Sequence, residues 1–301
     1  MNKSGQHHMN MVLTPAFVKK WKLAYQKFYG YKEIGNFLAV PSLGIGYTLA
    51  YVPGLTYTDI HKEEANRLIT EAQDNKYIIR ALDPSKQIFK PFEPVTMRKW
   101  IGGESHDKIV SAFHSTKRRN LRKALEYNMD VQIGWTEKLR EDFYSLYRLT
   151  MYRLGTPPLS KELFVCVGNE IEIEITVAYV SGKPAAGLLV VYDEEIAWNP
   201  YAASDRRFAD TFANEVVYRD AMFRAFDKGK KIFDCGRSPY GGGTYQFKKK
   251  MGAKPVGLAY FKEKEENIYA KYSFVSKVWK RIPKLIADGV GPKLRRYLAD
   301  S

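Results

Sequence analysis

The chain has 301 residues, two cysteines and a net charge of +15, so it is long enough for two ordinary domains but has too few cysteines for a disulfide framework or a structural zinc site. No apolar run approaches the roughly 18 residues of a membrane-spanning helix, and the N-terminus lacks the apolar segment of a secretory signal. The basic excess favours nucleic acid, anionic lipid or a phosphorylated substrate as partner, and a solvated basic surface without a partner is the alternative.

The N-terminal half shows a faint strand–helix–strand pattern. Its segments are a strand or strand pair over 43–54, a helix over 59–75 and a strand over 77–84. A further helix is predicted over 105–128, where we place the boundary between the two halves.

The C-terminal half has a clearer order. A helical face of apolar residues ends at Gly155, and the alternation "IEIEITVAYV" over 171–180 predicts a strand with one wet face. The following predicted elements are strands over 185–192 and 196–204, a helix over 209–229, a strand over 230–236, a helix over 244–252 and a strand over 255–262. The order β-β-β-α-β-α-β is that of the GNAT N-acyltransferase core.

These patterns predict an α+β fold with two tandem GNAT-like acyltransferase domains, whose mixed, largely antiparallel sheets are flanked by helices. We place a degenerate N-terminal domain at 1–128, a second domain at 129–265 and a basic amphipathic tail at 266–301. The tail mixes Trp, Leu and Ile with Lys and Arg, which suits the surface of an anionic membrane. Pro283 and the segment 289–292 are expected to break it into short pieces. Alternatively, it packs on the domain with its lysines in solvent.

Three glycines precede three lysines in "GGGTYQFKKKMG", residues 241–252. A Walker loop places the lysine directly after the last glycine, whereas here four residues separate Gly243 from Lys248, so nucleotide hydrolysis is not predicted. The glycines instead suit a tight turn that places Lys248 at the end of a buried strand, where α/β sheets bind ligands. A lysine there could stabilise the oxyanion of acyl transfer, and a lysine-rich surface helix is the alternative.

Other candidate residues come from the same segment and from a basic cluster. Arg118 and Arg122 share one helical face, with Arg119 and Lys123 on the adjacent one, which suits a diphosphate or phosphodiester, and a solvated charged face is the alternative. The residues predicted to bind substrate are Arg118, Arg122, Tyr201, Asp234, Arg237, Tyr245 and Phe247. Those predicted to bind nucleic acid are Lys117, Arg119, Lys123, Lys249 and Lys250.

Two kinds of motif are missing from the sequence. The turn "SDRRFADT" lacks both glycines of the [QR]-x-x-G-x-[GA] motif with which GNAT enzymes hold the pyrophosphate of CoA at a helix N-terminus, which argues against CoA. The histidines show no metal-ligand spacing, so no metal is predicted.

Four segments, 115–131, 143–164, 233–260 and 278–298, resemble FemAB-like proteins, particularly the short members found near exosortase/PEP-CTERM systems. The resemblance implies two tandem GNAT-like domains that need no metal and bind no CoA. It also implies transfer of an amino acid from aminoacyl-tRNA to the peptide of a peptidoglycan precursor. The family's "FK" pair followed by a glycine matches Phe247, Lys248 and Gly252, and implies that Lys248 acts at the reaction centre.

The expected function is an aminoacyl or peptidyl transferase that forms an amide bond on a cell-envelope precursor, with aminoacyl-tRNA as co-substrate and no cofactor. We expect a cytoplasmic monomer that contacts the inner face of the cell membrane through its tail. The alternative enzyme is an acyl-CoA-dependent N-acyltransferase acting on a sugar or exopolysaccharide component, with acetyl-CoA as donor. A third interpretation is a basic RNA- or membrane-binding module without activity.

Overall fold

The computed structural model describes residues 11–34, 37–41, 47–50, 78–83, 85–262, 276–277 and 279–298. In this part of the chain the helices are α1 (Pro15–Tyr29), α2 (His106–Ser111), α3 (Ser115–Ala124), α4 (Glu137–Leu154), α5 (Lys161–Glu170), α6 (Ala213–Asp227), α7 (Gly243–Lys250) and α8 (Lys284–Arg295). The strands are β1 (Lys32–Ile34), β2 (Phe37–Pro41), β3 (Tyr47–Ala50), β4 (Ile78–Asp83), β5 (Pro94–Trp100), β6 (Met129–Gly134), β7 (Ile173–Val180), β8 (Lys183–Tyr192), β9 (Ile196–Ser204), β10 (Ile232–Pro239) and β11 (Lys254–Lys262). No helix among these residues is long and apolar enough to cross a membrane.

The chain forms two compact units that interleave along the sequence. The first is built mainly from Pro84–Leu149 and Glu172–Leu258, and the second from the described parts of Leu13–Asp83, Thr150–Ile171 and Ala259–Ser301. The predicted domains at 1–128 and 129–265 are continuous stretches, whereas the first unit draws on both of them. The reason is that β5 pairs with β10 and β11, far along the chain.

The strands of the first unit lie in the order β11-β5-β10-β9-β8-β7-β6. From β6 to β9 the strands form an antiparallel meander, and α6 then connects β9 to a parallel β10. This arrangement confirms the predicted α+β class and the GNAT order of elements from β7 onward. The sequence pattern had not revealed β5, β6 or α5.

Both faces of β7 are covered, which corrects the predicted wet face. On one side Phe143 of α4 lies close to Gly187 of β8, where an added Cβ would come within 3.0 Å of its ring. On the other side Glu174 accepts hydrogen bonds from Arg224 of α6, and Thr176 is only 2% exposed. The glutamate of the alternating pattern therefore lies against α6 instead of in open solvent.

The segment predicted as one helix over 105–128 forms two helices, α2 and α3. The break occurs because His114 caps α3, its Nδ1 accepting a hydrogen bond from the N–H of Thr116 at 3.2 Å. The carbonyl of Lys250, at the end of α7, accepts a hydrogen bond from the N–H of His114 at 2.8 Å. This bond fixes the start of α3 beside the end of α7.

The second unit contains an antiparallel sheet, β1-β2-β3, and the helices α1, α5 and α8. Thr14 caps α1, whose buried residues include Trp21 and Tyr25. The helix predicted over 59–75 lies outside the described residues, so a second GNAT-like copy stays a prediction. The expected break at 289–292 is wrong, because α8 continues through Gly289 and Pro292.

Candidate active site

The parallel strands β9 and β10 part at the centre of the first unit. They pair only at three positions, from Ile232↔Ile196 to Asp234↔Trp198, although β9 continues to Ser204 and β10 to Pro239. Just beyond the last pair, Gly236 has φ +74°, and an added Cβ would lie 2.6 Å from the carbonyl oxygen of Asn199. Only glycine fits this close approach of the two backbones. The parted strand ends leave carbonyl groups of β10 without partners on β9.

Lys248 supplies the donor for those carbonyls. Its side chain extends from α7, is 8% exposed, and donates from Nζ to the carbonyl oxygens of Gly236 at 3.1 Å and Arg237 at 2.9 Å. Burial lowers its pKa to about 8, and Arg237 also lowers it, whereas Cys235 and Asp234 act in the opposite direction. Among the described residues the ammonium thus donates to neutral carbonyls alone, and it can bond to another oxygen at the strand ends.

Asp234 occupies a different position from the one expected of a substrate ligand. It is 4% exposed, and its carboxylate accepts hydrogen bonds from the Thr96 hydroxyl at 2.6 Å, the Arg98 Nε at 2.7 Å and the Gly236 N–H at 2.8 Å. Protein donors already surround its two oxygens, and direct substrate contact by Asp234 stays a prediction. Its role in the structure is to tie β5 to β10 and to hold Gly236.

Arg237 is a half-buried cation that directly follows Gly236 on β10. Its carbonyl accepts from Lys248, and its positive charge acts on the pKa of that lysine, so the two cations lie close together. Within the described residues its guanidinium makes no hydrogen bond or ion pair. Its placement therefore agrees with the prediction that it binds substrate, which stays a prediction.

The aromatic candidates differ in accessibility. Tyr245 is buried, with its ring centroid 4.8 Å from that of Tyr240, and burial raises its pKa. Phe247 is half-buried and its ring lies 5.2 Å from that of Tyr218. Tyr201, on β9, is half-buried. Tyr245 therefore supports the turn into α7, while Phe247 and Tyr201 keep surface that a substrate can reach.

The basic cluster of α3 divides into a buried residue and exposed ones. Lys117 is 8% exposed, donates to Glu215 Oε1 at 2.8 Å, and lies 4.0 Å from the centroid of the Phe247 ring. Its ammonium is engaged by these partners, and contact of Lys117 with nucleic acid stays a prediction. The exposed basic residues of α3 and α7 are Arg118, Arg119, Arg122, Lys123, Lys249 and Lys250.

Arg118 is partly engaged despite its exposure. Its guanidinium donates to the carbonyl of Ser111 at 2.9 Å and to that of Phe113, so it caps the end of α2. The predicted pairing of Arg118 with Arg122 on a diphosphate would require Arg118 to exchange these bonds. Arg122 makes no such bond to the described residues, and its side chain is exposed.

Sequence reasoning did not identify Asn199 and Tyr218. Asn199 is 2% exposed, and its Nδ2 donates to the carbonyls of Leu189 and Tyr201, both at 2.8 Å. The Tyr218 hydroxyl of α6 donates to Asn199 Oδ1 at 3.4 Å. An asparagine within the otherwise apolar string "IAWNPYAAS" was the available signal, because a buried amide needs specific partners.

The turn between β9 and α6 is occupied by its own hydrogen bonds. A 3₁₀ turn spans Arg206–Thr211, in which the N–H of Arg207 bonds to Asp205 and that of Phe208 bonds to the Asp205 carbonyl. Glu215 then places a carboxylate in the first turn of α6. Glu215 is paired with Lys117, so this turn differs from a pyrophosphate site in that the N–H groups of Arg207 and Phe208 already bond to Asp205.

Comparison with known proteins agrees with this geometry. Residues 111–249 match the family model described as the acetyltransferase (GNAT) domain. No curated protein sequence matches the chain.

Several solved structures share the fold. The crystal structure of FemX is 15% identical over 87% of this chain and 97% of its own, with a TM-score of 0.56. The C-terminal domain of a putative lysylphosphatidylglycerol synthetase from Agrobacterium fabrum is 10% identical over 87% and 95%, with a TM-score of 0.54. L-PGS from Bacillus licheniformis is 12% identical over 90% and 98%, with a TM-score of 0.50. Together with the GNAT domain, these structures show a GNAT-type fold and agree with the resemblance found in the sequence.

Proposed function

For this FemAB-like acyltransferase of the GNAT superfamily, we propose transfer of an aminoacyl group from aminoacyl-tRNA to an amine of a cell-envelope precursor. The acceptor amine attacks the ester carbonyl carbon, a C–N bond forms, and the carbonyl oxygen becomes an oxyanion. Collapse of this intermediate breaks the ester C–O bond, and the ribose oxygen leaves with a proton from the attacking nitrogen. The product is an amide, and the reaction needs no redox partner.

The observation that supports the proposal best is the position of Lys248. Its ammonium lies where β9 and β10 part, donates to the carbonyls of Gly236 and Arg237, and has a pKa of about 8. An oxyanion binds an ammonium more strongly than a neutral carbonyl does, because two opposite charges then attract each other in a site of low dielectric constant. Lys248 is therefore suited to stabilise the charge that develops in acyl transfer.

The choice of donor rests on charge and on the turn before α6. The N–H groups of Arg207 and Phe208 in that turn already bond to Asp205, so a CoA pyrophosphate is disfavoured there. The exposed basic residues of α3 and α7 belong to the same unit as Lys248, and the bond from His114 to the Lys250 carbonyl joins the two helices. A positive surface of this kind suits the phosphates of tRNA.

The names of the structural neighbours agree with an envelope substrate. Lysylphosphatidylglycerol, the product named for the Agrobacterium fabrum neighbour, is an amino acid joined to a phospholipid. The alternative is an acyl-CoA-dependent N-acyltransferase that acts on a sugar or exopolysaccharide component. The description of the matched family as an acetyltransferase domain favours that alternative.

A donor test separates the two functions. The purified full chain is incubated with tRNA charged with labelled amino acids, together with nucleotide-linked or lipid-linked peptidoglycan precursors, and labelled amide product is measured. In parallel, acetyl-CoA is titrated by calorimetry. We expect tRNA-dependent labelling and no saturable acetyl-CoA binding. Saturable binding with acetyl transfer to an amino sugar would overturn the proposal.

A further inference from the structure

The helix α8 has one face packed on the second unit. Ala287 is 2% exposed and Arg295 is 5% exposed. At Gly291 an added Cβ would lie 2.6 Å from Pro158 and 3.2 Å from Trp279, so this face of the helix packs closely against these two residues. Trp279 is 3% exposed, which removes it from the side chains available to a membrane.

The opposite face of α8 exposes apolar side chains to solvent. Ile286 is 55% exposed and Val290 is 42% exposed. The two residues are four positions apart, so they lie next to each other on one helical face. A helix that is apolar on its outer face as well as its packed face leaves surface for a partner.

Basic side chains lie along the chain on both sides of this apolar pair. Between 277 and 296 the sequence contains a single carboxylate, that of the half-buried Asp288. Four exposed basic side chains make no ion pair with any described residue: Lys280, Arg281, Lys284 and Lys293. Lys293 shares the helical face of Ile286 and Val290, whereas Lys284 has the spacing of the packed residues and the other two precede the helix. The apolar pair therefore has one cation on its own face and a positive rim before the helix.

A second exposed apolar segment lacks this rim. Ile88 and Phe92 are 87% and 62% exposed in the loop before β5. There Glu93 forms an ion pair with Lys86 and accepts the N–H of Lys90, so the local charge is largely balanced. Exposure of apolar side chains is common to both places, and the uncompensated charge belongs to α8.

We propose that the outer face of α8 docks on an anionic lipid bilayer. Ile286 and Val290 enter the boundary between headgroups and acyl chains, and the basic side chains bind lipid phosphates. An RNA partner would use the charges but would leave the aliphatic pair exposed, so the observations favour lipid. This inference concerns the second unit and does not depend on which donor the acyltransferase uses.

Sedimentation with vesicles tests the proposal. The full chain is mixed with vesicles of phosphatidylcholine alone, or of equal parts phosphatidylcholine and phosphatidylglycerol, and binding is expected only to the second. The change Lys293→Gln should weaken binding roughly fivefold, because each basic residue near an anionic surface contributes about 1 kcal/mol. The double change Ile286→Ser and Val290→Ser should weaken it roughly tenfold. Ile88→Ser is the matched control and should bind like the unchanged chain.

Three outcomes would overturn the proposal. They are no binding to the anionic vesicles, binding by the lysine variant and by the Ile286→Ser and Val290→Ser variant that equals that of the unchanged chain, or a loss in the Ile88→Ser control as large as in those variants. A loss of tRNA binding in the lysine variant, with tRNA and vesicle binding unchanged in the Ile286→Ser and Val290→Ser variant, would instead identify a nucleic-acid surface. Transfer to a soluble nucleotide-linked acceptor should be unchanged in all variants. A failure of the proposed function would abolish that transfer in the unchanged chain too, so the two failures are distinguishable.

Discussion

Lys117 and Lys248 lie on neighbouring helices, α3 and α7, and are equally buried, each with 8% of its surface exposed. Lys117 donates to the carboxylate of Glu215, whereas within the described part of the chain Lys248 donates only to the carbonyls of Gly236 and Arg237. A buried ammonium beside a carboxylate is neutralised and holds two helices together. One beside carbonyls keeps a charge that a substrate oxygen can use. Equal burial thus serves two purposes, and the partner determines which.

Removing Lys117, whose charge is compensated by Glu215, should have the largest effect on stability. Lys117→Ala leaves Glu215 buried with only Asn120 as a donor, and breaking a buried ion pair costs about 3–5 kcal/mol. We expect the free energy of unfolding in urea to fall by that amount. Arg119→Ala, an exposed neighbour on α3, should change it by less than about 0.5 kcal/mol. Equal effects of the two changes would contradict a structural role for Lys117.

Removing the uncompensated charge should affect catalysis most. Lys248→Ala should lower the single-turnover rate of transfer on the order of 10²–10³-fold, the usual loss when one oxyanion donor is removed. Lys249→Ala, the exposed neighbour, should retain the rate. Circular dichroism of both variants checks that the fold persists. A folded Lys248→Ala variant with undiminished turnover would remove the lysine from the mechanism.

The close approach that positions the Lys248 partners should be sensitive to a single methyl group. Gly236→Ala introduces a Cβ 2.6 Å from the Asn199 carbonyl oxygen at φ +74°, and such strain costs about 1–3 kcal/mol. Gly243→Ala is the control, because an added Cβ there meets nothing within 4 Å. Thermal denaturation of the two variants measures the difference. Equal melting temperatures would show that the strands can separate further without cost.

The pH dependence of the transfer rate should report on Lys248, and it is the smallest effect that we expect on catalysis. Because Lys248 acts as an ammonium with a pKa of about 8, the transfer rate should fall about tenfold for each pH unit well above that value. Lys248→Arg keeps its charge and should lack this alkaline fall. The pH–rate profiles of the two proteins, measured with the same acceptor amine, provide the comparison. An alkaline fall that persists in the arginine variant would assign it to another group.

The same pKa has a consequence for stability. The unfolded chain keeps the Lys248 proton up to its ordinary pKa of 10.5, whereas the folded chain releases it above about 8. Between these values the unfolded state binds more protons, so the free energy of unfolding rises with pH relative to a Lys248→Met variant. Urea denaturation of both proteins at pH 7.5 and pH 9.5 checks the sign.

Local patterns were sufficient for much of the fold. Alternation predicted β7 to β9, helical spacing predicted α4 and α6, and the spacing of Gly243 and Lys248 excluded a phosphate loop and placed the lysine at a strand end. The strand β5 was missed because Thr96 and Arg98 interrupt its apolar pattern. Both bind Asp234, which is more than 130 residues away, so their burial depends on a partner that spacing cannot reveal.

Site residues that belong to one local motif could be predicted from the sequence. Those whose role depends on a partner far away in the sequence could not. Lys117 looked like its exposed neighbours in a basic run, and its partner Glu215 is 98 positions away. Asn199 is defined by contacts to Leu189 and Tyr218 on other elements. A basic side chain in a run can be assigned to solvent or to an ion pair only once the opposing helix is known.

The insertion of β5 beside β10 also determines which fragment of the chain can fold. The stretch matched by the GNAT model, 111–249, contains neither β5 nor β11. A polypeptide cut to that range would expose β10 as a sheet edge and leave Asp234 without Thr96 and Arg98. An open edge and an orphaned carboxylate both favour aggregation over folding. The limits of the recognisable family domain are therefore narrower than those of the cooperative folding unit.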